Sequence, residues 1–356
     1  VDDCLLAASS EEARRWFMER LEKRFPVNPK STGVISFETP GLVLSMNVRY
    51  DAKKGVLQFD QKNAITALAE KIGVAELPPR SLPISDTVDL PKLDKAEVSQ
   101  TEYLSIVGSC LHICQVTRPD CAFAIGALSR HSATPGSAHL DAAKNLVKYL
   151  NGTRDLFIEY RRSDTGNDPT IYEKGEPVLV EGQRTIEDRL RESTPTSRPN
   201  ETDMYTDADF GGDRVTRRST SGMIVMMNSG PITWCSRLQK LCAQSSAESE
   251  IYAVTDSVKE AIHLKLLCEE CGIRRPGLPM TIWEDNNACI QLGHGIRGSK
   301  AAKHFELRLR FLNEHVHAKT IEFARINTKE QLADGFTKPL PLAAFREFRS
   351  KLLRSP

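Results

Sequence analysis

The stretch "STSGMIVMMN", residues 219–228, limits the possible folds more than any other part of the chain. A continuous apolar run of this length suits a strand in the middle of a sheet, where both faces are covered. Its neighbours agree. "DMYTDADF" reads as a strand ahead of it, "NSGP" as a turn, "ITWCSR" as a strand pairing back, and "KLCAQ" as a third short strand. A long helix follows through "ESEIYAVTDSVKEAIHLKLLCEECG", with Ile251, Val254, Val258 and Ile262 on one stripe. Strand "MTIWED", a short helix, a helix in "AAKHFELRLRFLNEHV", strand "TIEFARI" and a last helical segment complete the series. Antiparallel strands followed by helices alternating with further strands predict a mixed-sheet α/β layout.

The first half has a different texture. Residues 10–25 form an amphipathic helix, opened by a capping box from Ser9 to Glu12. Two β-like runs come next, "GLVLSMNVRY" and "GVLQFD", then a helix in "QKNAITALAEKIG" that stops at Gly73. A proline-punctuated stretch leads to helical patterns over 101–116, over 120–132 and in "SAHLDAAKNLVKYLNG". From Arg161 to about Glu201 the sequence is polar, charged and without periodicity, which reads as a linker or insertion. At 356 residues the chain is long enough for two domains, and the break is expected near 200. The division is 1–160, a linker at 161–200, a second domain at 201–345 and a tail at 346–356.

Composition narrows the class. Hydrophobic residues at 40% and charged residues at 27% describe a soluble globular protein. No run of 18 uncharged apolar residues exists, so no membrane partner is expected, and the start lacks the pattern of a signal peptide. The absence of an initiating methionine leads us to expect a fragment or a processed piece. Nine irregularly spaced cysteines read as reduced intracellular thiols. Cys268 and Cys271 have metal spacing, but no second pair completes a zinc site, and buried thiols in a helix are the expected reading.

Four carboxylates stand at the ends of elements in the second half: Asp207, Glu250, Asp285 and Asp334. Hard oxygen ligands drawn from separate elements can converge on Mg²⁺ or Mn²⁺. Two such ions about 4 Å apart clamp the attacking and leaving oxygens of a phosphodiester. Without cations, four clustered anions repel. Asp209 rivals Asp207, because residues two apart on a strand share a face, but the following glycines place it past the strand end. Glu248 rivals Glu250; its place in the capping box Ser245-x-x-Glu248 gives it a structural role and leaves Glu250 available. Asp285 alone would read as a helix cap and Asp334 alone as a surface residue. Between 214 and 240, Arg214, Arg217, Arg218, Arg237 and Lys240 occur with no acid among them. A basic edge beside an acidic metal site suits a polyanion; the bland alternative is a solvated hairpin.

The segments "YTDADFGGDRVTRRSTSG", "PITWCSRLQKLCAQSSAESEIYA", "EDNNACIQL", "KHFELRLRFL" and "KEQLADGFTKPL" resemble the ribonuclease H domain of copia-type LTR retrotransposon Pol polyproteins. "VDDCLLAA" is similar to the end of the reverse transcriptase palm motif. The segment 101–153 resembles the region joining polymerase to nuclease. The resemblance covers nearly the whole chain outside 161–200. It implies an RNase H-like mixed five-stranded α/β sheet flanked by helices, preceded by an α+β remnant of reverse transcriptase with the palm end and thumb or connection. It further implies that Asp207, Glu250, Asp285 and Asp334 hold two Mg²⁺ ions, or Mn²⁺, and that Asp2 and Asp3 match the polymerase's paired metal ligands. The implied reaction cuts the RNA strand of an RNA–DNA hybrid, recognised by backbone shape and 2′-hydroxyls. The upstream part of the polyprotein, with fingers and most of the palm, is the implied protein partner. The implied location is the cytoplasm, in a virus-like particle, and the nucleus. Polymerase activity of this chain alone is not expected, since the first polymerase aspartate is missing. Departures are Phe210 for the family's usual tryptophan, Glu306 for its usual aspartate, and a loop "INTKEQ" without the histidine of cellular enzymes. His304 is the nearest candidate helper, with packing or capping its expected job. The order Asp, Glu, Asp, Asp separates this pattern from transposases and integrases, which place the glutamate last.

Overall fold

The computed structural model describes residues 5–8, 10–27, 33–88, 90–162, 191, 193, 195, 200–274, 276–295 and 305–356. Asp2, Asp3, Ser9, His304 and nearly all of the expected linker lie outside them. Helix α1 (Glu11–Glu22) is capped by Ser10, whose hydroxyl accepts from the Ala13 amide at 3.1 Å, one residue later than expected. The run "GLVLSMNVRY" is not one strand but a hairpin. Strands β1 (Gly41–Val43) and β2 (Met46–Asp51) flank Leu44 and Ser45, at φ 48° and 67°. Two consecutive positive φ values give the turn that matches the twist of paired strands. Strands β3 (Val56–Asp60) and β4 (Ile158–Arg161) complete an antiparallel sheet in the order β1-β2-β3-β4.

Among the described residues, four helices lie between β3 and β4. They are α2 (Lys62–Lys71), α3 (Gln100–Val116), α4 (Ala122–Ser129) and α5 (Ser137–Gly152), with a 3-10 turn at Pro119–Cys121. Each turns an apolar face inward: Ile65 and Leu68 from α2, Ile106 and Cys110 from α3, Leu146 and Leu150 from α5 are buried.

The second sheet has five strands: β5 (Asp203–Ala208), β6 (Thr220–Met227), β7 (Gly230–Leu238), β8 (Met280–Glu284) and β9 (Ile321–Arg325). Their order is β7-β6-β5-β8-β9, with β7, β6 and β5 antiparallel and β8 and β9 parallel to β5. "KLCAQ" is not a strand. β6 is already paired on both sides, and the chain leaves β7 through Gln239, whose amide donates to Ser221 Oγ and the Ser249 carbonyl, both at 2.9 Å. This turns it into α6 (Ser246–Glu270). Helices α7 (Asn287–Gly293), α8 (Glu306–His317), α9 (Asp334–Thr337) and α10 (Leu342–Leu352) follow.

Alternation along the strands gives the sheet two apolar faces. Met204, Val225, Ile282 and Phe323 pack with Ile251 and Val258 of α6, Ile290 of α7 and Leu312 of α8. Tyr205, Ile224, Trp283 and Ala324 face the other way, into a cluster with α2 to α5, α9 and α10. Residues on both sides of position 200 therefore share one core. Polar contacts tie the same halves: Trp234 Nε1 donates to the Cys114 carbonyl at 2.9 Å, and Tyr160 Oη to the Pro231 carbonyl at 2.6 Å. Residues 346–356 are not a tail. They finish α10, bury Phe348, Leu352 and Leu353, and bridge Arg354 to Phe157. Among the described residues no helix is long and apolar enough to cross a membrane.

Candidate active site

Strand β5 runs parallel to β8 with Tyr205 opposite Trp283. Carried two residues further, this register sets Asp207 level with Asp285, at the carboxyl ends of neighbouring parallel strands. Open sheets place their sites at that end. Asp207 shares the face of Tyr205, toward α9, and its Oδ2 accepts from Thr337 Oγ1 at 2.5 Å. The helix comes this close because Gly222 pairs with Asp207 in the ladder. A Cβ at Gly222 would lie 2.7 Å from Thr337 Cγ2 and 2.8 Å from the Ala333 carbonyl oxygen. Buried Gln331 donates to the Thr206 carbonyl at 2.9 Å and the Trp283 carbonyl at 3.4 Å, lashing β5 to β8 just before Asp334 opens α9.

The rival assignments separate by hydrogen bonding. Asp209 lies past the end of β5 and accepts from the Thr220 amide, closing the hairpin. Asp213 accepts from the Thr216 amide at 2.7 Å and pairs with Arg130, which follows α4, at 3.3 Å. Glu248 is held by the Gln244 amide and the Tyr252 hydroxyl, both at 2.7 Å. Glu250 is 6% exposed, and its Oε2 has no hydrogen-bond partner among the described residues. The cap of α7 is Asn286, which accepts from the amides of Ala288 and Cys289 at 3.0 and 3.1 Å, so Asp285 is not used as a cap.

Glu284 was not foreseen. It is fully buried on the α6 side, where its carboxylate accepts from Thr206 Oγ1 at 3.2 Å and the Asn286 amide at 3.0 Å. A glutamate inside "MTIWED" carries no sequence signal that separates it from Asp285. Lys338 was also missed. Its Nζ donates to Asp334 Oδ1 at 2.9 Å, one helical turn on.

Burial, then repulsion from Asp334, pushes the Asp207 carboxyl up to about 7, with Thr337 and Lys338 opposing the rise. Burial also drives Glu250 well above the usual range, aided by the charges of Glu284, Asp207 and Asp285 and opposed by the Ala208 amide. Glu284 is raised by burial and by Asp285 and Asp207, against the pull of Asn286 and Thr206. Burial would lower Lys338, but its bond to Asp334 and the charges of Asp334, Asp207 and Asp285 raise it. Of the four foreseen carboxylates, Asp207 thus feels the charges of Asp334 and Asp285, and Glu250 those of Asp207 and Asp285. Among the described residues no three His, Cys, Asp or Glu side chains are already grouped to hold a metal ion. Asp207 and Asp334 are instead held by Thr337 and Lys338. The donor set is all hard oxygen, and the unpartnered Glu250 oxygen fits a divalent cation of the Mg²⁺ type.

The basic residues sit at the same end of the sheet. Arg237 is paired with Ser221 in the β6–β7 ladder, and Ser221 with Ala208 beyond Asp207. Arg214, Arg217 and Arg218 are in the hairpin between β5 and β6, with Arg217 at φ 55°. Arg214, Arg217, Arg237 and Lys240 are exposed and Arg218 is half-buried. Cys268 is buried and Cys271 exposed, both as free thiols.

No family model matches the chain. It is 28% identical over 310 residues, 85% of its length, to the retrovirus-related Pol polyprotein from transposon TNT 1-94 of Nicotiana tabacum. To that from transposon RE1 of Arabidopsis thaliana it is 26% identical over 353 residues, 99% of its length. It spans 21% of each of these relatives. A secreted RxLR effector protein 161 of Plasmopara viticola is 33% identical over 162 residues, 46% of this chain and 90% of that protein. Among solved structures, the N-terminal RNase H domain of a Mycobacterium tuberculosis protein superposes with a TM-score of 0.29 at 12% identity, covering 38% of this chain and 95% of that one. That score is too low to carry weight. The RNase H-like assignment rests on the mixed five-stranded sheet, its order and its flanking helices. Over most of its residues the chain is thus similar to the retrovirus-related Pol polyproteins of plant transposons.

Proposed function

We propose that the chain carries a metal-dependent ribonuclease H that cuts the RNA strand of RNA–DNA hybrids, joined to the C-terminal part of a copia-type reverse transcriptase. The observation that carries this reading is the buried Glu250 carboxylate, with one oxygen unpartnered, under the charges of Asp207 and Asp285. Carboxylates raised by burial, and further by mutual repulsion, are poised for a cation.

Asp207, Glu250, Asp285 and Asp334 would hold two Mg²⁺ ions. When bound, such ions supply an activated water and charge stabilisation for phosphodiester hydrolysis. The chain's own residues do the rest. Gln331 and Gly222 fix the distance between the strand ends and α9, and Thr337 orients Asp207. Glu248 keeps α6 in place through Gln244 and Tyr252. Arg214, Arg217, Arg218, Arg237 and Lys240 would take backbone phosphates, which position a duplex without reading its sequence.

The test uses the full chain, because its two halves share a core. A hybrid with labelled RNA is incubated with Mg²⁺ and the wild-type chain or Asp285→Asn. RNA cleavage by wild type, lost in the variant, is the expected result. Hybrid binding without cleavage by wild type would replace this reading with that of a nucleic-acid-binding remnant of a transposable element.

A further inference from the structure

We propose that Lys338 is a built-in counter-ion of the acidic site, which holds Asp334 until divalent cations displace it. The inference rests on the nuclease reading and names what that site does without metal. Asp207 and Asp285 stand at the ends of β5 and β8 and Asp334 opens α9; Asp207 feels the charges of Asp334 and Asp285, and Glu250 on α6 those of Glu284, Asp207 and Asp285. The positive charge that opposes the repulsion on Asp207 is Lys338. Its ammonium is bonded to Asp334 at 2.9 Å and also feels Asp207 and Asp285.

The geometry suits displacement. The side chain of Lys338 is 46% exposed and that of Asp334 is 23% exposed, so the ammonium sits at the mouth of the site. The backbone stays fixed: Lys338 ends α9 in extended conformation (φ −147°, ψ 156°), its amide donates to the Asp334 carbonyl at 3.3 Å, and Pro339 follows. The flexible stem can move alone. A partly exposed pair between single charges is weak, whereas a divalent ion brings twice the charge to several carboxylates at once. Asp334 thus avoids an uncompensated charge before metal arrives, and Lys338 leaves without refolding.

A merely structural lysine and a displaceable one give opposite results. Mn²⁺ binding to the full chain, without nucleic acid, is titrated by electron paramagnetic resonance for wild type, Lys338→Met, Lys338→Gln and Lys338→Arg. Melting is followed in EDTA and in saturating Mn²⁺. With the competing charge removed, Lys338→Met and Lys338→Gln are expected to bind Mn²⁺ about threefold or more tightly. They melt lower than wild type in EDTA, and Mn²⁺ closes that gap. Lys338→Arg behaves as wild type. Equal or weaker Mn²⁺ affinity in Lys338→Met and Lys338→Gln, with wild-type binding intact, overturns the inference alone. Wild-type binding that is absent, or unchanged by Asp207→Asn, overturns the metal site and the inference with it.

Discussion

Two clusters of buried charge in this chain are built on opposite plans. In the helical half, Arg118 and Asp120 are 0% and 2% exposed and joined by two hydrogen bonds of 2.9 and 2.8 Å. Tyr149 adds a third bond to Asp120, and Thr153 takes two more of the guanidinium hydrogens. Burial would raise Asp120, yet the charge and hydrogen bonds of Arg118 bring it below the usual range. At the end of the five-stranded sheet, Asp207, Glu250 and Glu284 are also buried, and all are raised. A satisfied cluster is what a fold uses to fix one packing. An unsatisfied one is tolerated where a ligand is to complete it.

Breaking the closed cluster should have the largest effect. Arg118→Met leaves Asp120 buried without its cation, and the expected cost is about 3–5 kcal/mol of stability in chemical denaturation. Arg118→Met with Asp120→Leu should recover much of that, since a well-packed apolar pair can replace a buried ion pair. A single variant that lost less than about 1 kcal/mol would show that the network is not needed for packing.

The open cluster should respond with the opposite sign. Asp207 is held at about 7 in the fold, above the unfolded value near 3.9. Between those values the folded state binds more protons, so stability is full below the lower value and is lost as pH rises through the upper one. Glu250 and Glu284 act in the same direction. The metal-free chain should therefore melt higher at pH 5 than at pH 8. Asp207→Asn should reduce that difference and stabilise the metal-free chain at pH 8, on the order of 1–3 kcal/mol, while abolishing cleavage. Asp120, depressed, loses its contribution only as pH falls below the ordinary carboxylate range, so the two clusters titrate in separate windows. Thermal melts in EDTA across pH check this, and a profile that rose from pH 5 to 8 would contradict it.

The contrast repeats within a single turn of α6. Glu248→Ala removes the acceptor of the Gln244 amide and the Tyr252 hydroxyl, and should cost about 1 kcal/mol with cleavage retained. Glu250→Gln should lose cleavage at no cost in stability. Denaturation and hybrid cleavage, measured on both variants, separate the two jobs. Cleavage lost only in Glu248→Ala would reverse the assignment.

What the sequence disclosed follows the same division. Strand and helix periods exposed the mixed sheet, because Met204, Tyr205, Ile224 and Val225 each bury one side of a pleat. Capping chemistry separated Glu248 from Glu250 before any coordinates, because a cap is a local feature. Contacts between distant segments were not legible. Nothing in "TRPDCAF" says that Arg118 and Asp120 will bond to Tyr149 and Thr153, and a helical stripe does not name the sheet it covers. Glu284, Gln331 and Lys338 were hidden for the same reason: each gains its role only when β5, β8 and α9 meet. Leu44 and Ser45 hid the β1–β2 turn, since neither is a residue that ordinarily marks positive φ.

The exposed arginines complete the comparison with the smallest expected effect. Arg118 is fully buried and hydrogen-bonded to Asp120 and Thr153, whereas Arg214 and Arg237 are exposed at the acidic end of the sheet. Replacing either with alanine should change stability by no more than about 0.5 kcal/mol, as for surface sites away from special features. Each should instead weaken hybrid binding and lower the slope of log affinity against log salt by about one. Arg217 is a poorer probe, because its φ of 55° makes substitution a test of the turn as well as of the charge. Arg130 supplies the control. It anchors the hairpin through Asp213 and Thr220, so Arg130→Ala should move the hairpin and lower affinity without the same change in slope. Affinity and slope falling together for Arg214→Ala and Arg237→Ala, but not for Arg130→Ala, would distinguish phosphate contacts from the scaffold that presents them.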